Sequence, residues 1–253
     1  MSEKIAILGD IHSNWEAFQV VLAKAQKLGA TKYVCLGDIV GYNADPKLCL
    51  DKVRELDPIA IVKGNHDEYI GTDQELLGFN KMASCAVKWT RNQLSQEDRQ
   101  WLARLPYTKR MFLPETPPFL LVHATLDNPS MWGYIFNRFS AMSSMEYQGM
   151  FRICFCGHTH VPNIFVSRET AVTMEDWPEN APFELRPNIR YLFNIGSVGQ
   201  PRDNDPRAAF VMFEPEKMTM QLYRLEYDIE TTQRKIREAG LPETLAERLA
   251  MGK

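Results

Sequence analysis

No stretch of this chain approaches the ~20 consecutive apolar residues that an α-helix needs to cross a bilayer, so a helical membrane protein is not expected. Surplus positive charge is missing as well. Lys and Arg number 29 against 32 Asp and Glu, for a net charge of -3, and a pI near 6.0 lacks the basic footprint with which long DNA or RNA is recruited. Long nucleic acid is therefore not an expected partner. Low-complexity runs, Gly/Ser linkers and internal repeats are absent too, which favours a single domain over 1–253. Met1 to Lys4 run directly into the apolar Ile5 to Leu8, leaving no secretory h-region, so a cytoplasmic protein is expected. Cysteines are few and odd in number, at 35, 49, 85, 154 and 156, without the spacing of a disulfide framework, which argues for free thiols.

What is present is a globular composition. Of 253 residues 45% are apolar and 24% charged, with a mean hydropathy of -0.32, enough to bury a sizeable core. The first hundred residues alternate short apolar runs with helical patterns. Lys4 to Leu8 reads as a buried strand. Ser13-Asn14-Trp15-Glu16 offers a capping box to a helix with Trp15, Phe18, Val21, Leu22 and Ala25 on one side. Tyr33 to Leu36 and Ile59 to Val62 read as strands around a helix from Pro46 to Leu56, a βαβαβ start that implies a parallel sheet. Lys81 to Leu105 looks helical and Phe119 to His123 strand-like. Strands then predominate, at 151–156, 163–167, 170–174, 190–193, 208–213 and 218–224. Helices are expected over about 228–251, beginning at Asp228 as N-cap and broken at Gly240-Leu241-Pro242.

Histidine is the informative residue. All five, at 12, 66, 123, 158 and 160, fall at the end of a predicted strand or in the loop after it, where α/β proteins place their ligands. Their company is selective: Asp10-Ile11-His12, Gly37-Asp38-Ile39-Val40-Gly41, Gly64-Asn65-His66-Asp67, Val122-His123 and Gly157-His158-Thr159-His160. In an extended chain residues two apart share a side, so Asp10 with His12, and His158 with His160, are expected to present paired ligands to one cavity. Glycines 9, 37, 64 and 157 allow close backbone approach just before them. Carboxylate, imidazole and amide oxygen form a donor set that suits divalent transition ions, with Mn foremost and Fe, Zn, Ni or Co as alternatives. One such histidine alone is more often a cap or core residue; five clusters in series are hard to ascribe to separate structural uses. Cys154 and Cys156 allow a thiolate site, but i and i+2 in an apolar run are more simply one buried face of a strand.

The series Gly-Asp-x-His, Gly-Asp-x-x-Gly, Gly-Asn-His-Asp, a lone His and Gly-His-x-His resembles the calcineurin-like metallophosphoesterase superfamily. Val40-Gly41-Tyr42-Asn43-Ala44-Asp45-Pro46, Gly157-His158-Thr159-His160-Val161-Pro162 and Gly196-Ser197-Val198-Gly199-Gln200-Pro201-Arg202-Asp203 are similar, more narrowly, to bacterial members of its diadenosine tetraphosphatase and protein-phosphatase-like branch. The resemblance implies an α/β fold, a four-layer sandwich of two mixed β-sheets flanked by helices. It also implies two divalent ions, one held by Asp10, His12 and His160 and the other by Asn65, His123 and His158, with Asp38 bridging. The activity implied is hydrolysis of phosphate mono- or diesters by a metal-bridging hydroxide. His66, held by Asp67 or Asp38, would then protonate the leaving oxygen. Two departures stand out: Ala124 follows His123 where relatives carry Gly, and Asn194-Ile195-Gly196-Ser197 replaces Asn-Pro-Gly-Ser.

Substrate contacts are less defined. Arg202 is either a fork aimed at phosphate or a surface partner of Asp203 or Asp205, and Asn14 either a helix cap or a contact in the site. The segment 126–150 is dense in aromatics and Met, with Trp132, Tyr134, Phe136, Phe139, Tyr147, Met131, Met142 and Met145. It reads as a helical cap burying them, or as a platform stacking a base. Nucleotide, phosphoprotein and small ester substrates all remain open. A non-catalytic metal-binding scaffold on the same fold is a rival reading, weakened because no ligand is missing. A nuclease is another, weakened by the acidic pI.

Overall fold

A computed structural model describes residues 3–76, 78–168, 171–178 and 180–253. Residues 1 and 2 of the N-terminal reading, and residue 170 of the strand expected at 170–174, lie outside them. The βαβαβ start is present as β1 (Ile5–Leu8), α1 (Trp15–Lys27), β2 (Lys32–Cys35), α2 (Pro46–Glu55) and β3 (Ala60–Ile61), with the three strands parallel. The first sheet is completed by β11 (Ala208–Glu214), β12 (Thr219–Leu225) and β9 (Phe183–Glu184), in the order β3-β2-β1-β11-β12-β9. A second sheet contains β4 (Thr108–Met111), β5 (Phe119–Val122), β6 (Ile153–Cys156), β7 (Asn163–Arg168), β8 (Ala171–Glu175) and β10 (Arg190–Asn194), in the order β4-β5-β6-β10-β7-β8. Both sheets are mixed, as expected.

The strand period of two explains the layering. Ile5 and Ile7 of β1 face the second sheet, meeting Phe119, Phe155 and Phe193, whereas Ala6 and Leu8 face Phe18 and Val21 of α1 and Leu50 of α2. Apolar side chains on both faces make β1 a continuous apolar run. On the far face of the second sheet, Cys154, Cys156 and Val122 pack against Ile135, Ala141 and Met145. Helices α7 (Ile229–Glu238) and α8 (Glu243–Met251) lie on the body, with Ile236, Leu245 and Leu249 against Ala83 and Ala86. Asp228 caps α7 through Thr231 N–H, as read from sequence. Among the described residues no helix is long and apolar enough to cross a membrane.

Several expectations are corrected. The cap of α1 is Asn14, whose Oδ1 accepts Ala17 N–H, and not Ser13, which sits at φ 56 outside the helix. The helix expected over 81–105 is two, α4 (Lys81–Gln93) and α5 (Gln96–Arg104), because Ser95 turns extended and forms a capping box with Asp98. Apolar periodicity continues across that break and conceals it. The polar edge strand β4 is absent from the sequence reading because Thr108, Lys109 and Arg110 are exposed, in keeping with a charged, protected edge. Segment 126–150 is not a cap that buries its aromatics. It carries one short helix, α6 (Arg138–Met145), and Tyr134, Phe136, Phe139 and Tyr147 stay 49–63% exposed.

Candidate metal centre

The C-terminal ends of β1, β2, β3, β5 and β6 open onto one place. Backbone bonds splice the loops that follow: Asp10 N–H donates to Gly37 O at 3.0 Å, His12 N–H to Asp38 O at 2.9 Å, and Gly157 N–H to His123 O at 2.9 Å. The side chains converge for a reason other than the alternation expected from an extended chain. Asp10, His12, Asp38, His158 and His160 all adopt positive φ, between 47° and 68°. That left-handed conformation is costly for residues with a Cβ, at about 1–2 kcal/mol each, and such clusters mark sites held by their surroundings. Close approach also requires glycine. A Cβ on Gly64 would meet Asp38 Oδ1 at 2.0 Å, and one on Gly157 would meet Asp10 Oδ2 at 2.4 Å.

Two groups result that could each hold a metal ion, Asp10, His12, Asp38 and His160, and Asp38, His123 and His158, all buried. Asp38 belongs to both. Its Oδ1 accepts His66 N–H at 2.8 Å, while Oδ2 lies 3.4 Å from both His12 Nε2 and His123 Nε2.

Each ligand histidine gives one ring nitrogen to a main-chain carbonyl: His12 Nδ1 to Val40 O (3.2 Å), His123 Nδ1 to Leu36 O (2.7 Å), His160 Nδ1 to Gln200 O (2.6 Å) and His158 Nε2 to Trp132 O (3.0 Å). A carbonyl only accepts, so these nitrogens carry the hydrogen and the others point inward. Burial pulls His12 well below its ordinary pKa, against the opposing charge of Asp38, and lowers His160 as well. Both rings are therefore neutral near pH 7, and their lone-pair Nε2 atoms face each other at 3.1 Å. Two lone pairs at that distance repel unless a cation lies between them. Adjacent ligands on one first-row ion, with bonds of about 2.1 Å, stand about 3 Å apart.

At the second group Asp38 dominates. Burial acts to lower His123, but Asp38 outweighs it and raises this ring to about 9, whereas burial takes His158 down to about 3. His123 Nε2 and His158 Nδ1 are 3.2 Å apart. Asn65 Oδ1, at the start of α3 (Asn65–Gly71), is buried without a hydrogen-bond partner, and Asn65 lines a cleft with Asp38 and His158. The residues present thus fit two divalent ions.

His66 stands apart from both groups. Contrary to the loop expected for every histidine, it lies in the first turn of α3, with its ring centroid 4.9 Å from that of His12 and Nδ1 unpartnered. Asp67 does not hold that ring. Its carboxylate accepts Ile39, Val40 and Gly64 N–H groups, so it ties the Asp38 loop to α3. Burial, with the neighbouring Asp38 charge, raises it to about 7. Asn14 is a correction to the candidate substrate contacts: fully buried, it caps α1 and donates to Gly199 O. Arg202 has neither expected carboxylate partner, because Asp203 pairs with Arg224 and Asp205 with Arg207. It donates twice to Gln200 Oε1 and lines a narrow cleft with Asp38, Asn65, His66 and His160. Cys154 and Cys156 belong to neither ligand group; both are fully buried, with burial raising their thiols.

Ala124 poses no backbone problem, since it is not among the positive-φ residues. Asn194, which keeps the relatives' residue in the motif that departs at Ile195, holds the Gly157 turn by donating to Gly157 O and Thr159 Oγ1. Two rings stand beside histidines of the site: Tyr42, 4.3 Å from His66, and Tyr134, stacked on His158 at 4.2 Å. Tyr42 lies inside a motif already singled out, and Tyr134 belongs to the aromatic segment read as a cap or a base-stacking platform, with nothing local to mark it as a neighbour of His158.

A buried Asp/His centre between two mixed six-stranded sheets is the architecture of a metallophosphoesterase. Residues 4–218 match the model of the calcineurin-like phosphoesterase superfamily domain, and the chain belongs to that superfamily. It is 34% identical over 252 residues to the uncharacterized protein MJ0912 of Methanocaldococcus jannaschii, covering 98% of each chain. The crystal structure of a metallophosphoesterase from Sphaerobacter thermophilus superposes with a TM-score of 0.83 at 38% identity, covering 100% of both chains. A putative diadenosine tetraphosphatase is similar only distantly, at a TM-score of 0.50 and 14% identity over 89% of this chain and 95% of that one, a likeness of fold alone.

Proposed function

We propose that the protein is a phosphoesterase that holds two divalent transition ions and hydrolyses phosphate mono- or diesters. The observation that carries this reading is Asp38 Oδ2, one carboxylate oxygen 3.4 Å from a histidine of each ligand group. Asp10, His12 and His160 are assigned to one ion, Asn65, His123 and His158 to the other, and Asp38 to both. Bound there, the ions supply a water of lowered pKa and offset charge on the phosphate oxygens. The chain's own residues do the rest. Arg202, which lines the cleft and has no carboxylate salt-bridge partner among the described residues, is suited to grip a phosphate oxygen. His66, beside both groups and in neither, is suited to protonate the leaving oxygen. Burial holds it near 4, and the negative charge of an arriving phosphate raises it towards the range in which imidazolium donates.

The test is a panel of monoesters, diesters, dinucleoside polyphosphates and phosphopeptides, offered to protein loaded in turn with Mn, Fe, Ni and Zn. Metal-dependent turnover of at least one class is expected. A protein that carries two ions and cleaves none would be a binding scaffold instead.

A further inference from the structure

Beside the narrow cleft over the ligands lies a second cavity of about 340 Å³. The two differ in chemistry. Asp38 and Arg202 line the cleft. Among the described residues no Asp, Glu, Lys or Arg lines the cavity, and its walls are built from rings: Tyr69 and Phe79 on one segment, Trp132 and Tyr134 on another. Asn65 and His66 border both spaces.

Three observations suggest that this cavity is more than unfilled core. Tyr134 is 49% exposed and the adjoining Met131 70%, apolar surface left uncovered at the mouth of a site. Trp132 adopts φ 56, a strained conformation for so large a residue, and it is held there as its carbonyl accepts His158 Nε2–H. The ring that lines the cavity is thus tied to a ligand of the metal centre. Finally, His66 stands where the spaces meet. In an in-line displacement the group that takes the proton departs away from the nucleophile, so a leaving oxygen next to His66 delivers its substituent into the cavity.

We propose that this cavity is the leaving-group site and selects a flat, uncharged aromatic group joined to the ester oxygen, an aryl alcohol or a nucleoside, over charged or non-aromatic leaving groups. The proposal rests on the phosphoesterase reading above. Size agrees with it: ligand pockets span about 300–1,000 Å³, and one near the lower bound holds one ring system. The absence of Lys and Arg among the described residues that line it argues against a leaving group that is itself a polyphosphate.

The experiment compares the loaded enzyme on benzyl phosphate, adenosine 5′-monophosphate, glycerol phosphate and a dinucleoside tetraphosphate. Benzyl and glycerol phosphate both release an alkoxide, so intrinsic reactivity does not bias the comparison. The expected result is a kcat/KM for benzyl phosphate or the nucleotide at least about tenfold above glycerol phosphate, with that ratio falling about tenfold in Trp132→Ala, the scale of one lost stacking contact. Phe79→Leu, on the other segment, is expected to lower it in the same direction and guards against a folding defect. No aromatic preference, a ratio unmoved by both variants, or preference for the tetraphosphate would overturn the proposal. Calorimetry of adenosine and benzyl phosphate on metal-free protein is a separate readout. If no ester is cleaved, the phosphoesterase reading falls, while ligand binding weakened by Trp132→Ala still supports an aromatic site and its absence overturns one.

Discussion

Gly41 and His66 are in such close contact that a Cβ on the glycine would fall 2.4 Å from His66 Nδ1. Gly41→Ala must therefore push the imidazole away, quite apart from the strain of an alanine at φ +97. Turnover is expected to fall about 100-fold, the scale of a catalytic group displaced by an ångström, with both ions retained by metal analysis. His66→Ala should act likewise, most strongly on esters with poor leaving groups. Loss of an ion in either variant would place His66 among the ligands.

Asp38→Asn removes the charge that serves both groups. Bound metal is expected to fall at both positions, and activity by more than the roughly 10–100-fold that follows loss of a residue supporting a ligand. His160→Ala touches one group only and should cost mainly one ion. Metal content and turnover measured on the same samples separate the two cases.

Metal removal should also loosen the fold, because five left-handed backbones and two buried carboxylates are held against their own preferences. An ion at a concentration 100 times its Kd stabilises the native state by about 2.7 kcal/mol, a shift in Tm of about 5–10 °C for a chain of this size. Calorimetric scans with and without chelator give the value. An unchanged Tm would mean that the centre does not take up metal.

Acid should weaken the junction of α2 and α5. Burial works to raise Asp98, but its bonds with Ser95 and Arg54, the latter at 2.6 Å, outweigh this and hold it below the ordinary carboxylate range. A lowered folded pKa gives stability that is present above the unfolded value of about 3.9 and lost as pH falls through the folded one. Asp98→Asn is expected to cost about 1 kcal/mol at pH 7. The gap from the parent should close as urea titrations are moved below about pH 4.

Much of the centre was legible in the sequence. Asp10, Asp38, Asn65 and His158 each directly follow a glycine, His123 directly follows β5, and His12 and His160 stand two residues beyond Asp10 and His158. The cause of their convergence was not legible: spacing in an extended chain suggested alternation, whereas left-handed turns bring the side chains together, and although Asp and His enter that region more readily than most residues, their letters do not say when they do. Asp67 was misread, and Asn14 left between cap and contact, for a related reason. A buried side chain spent on main-chain amides has the same letter as one facing substrate. Conversely Trp132 contributes its carbonyl to His158, and any residue could have supplied that.

Each ligand group draws on both sheets: Asp10, His12, Asp38 and Asn65 follow strands of the first, His123, His158 and His160 strands of the second. Neither group can form from one sheet alone. During synthesis no ion can be fully enclosed until residue 160 has left the ribosome and the sheets have docked, so bound metal would report on the docking of the two sheets.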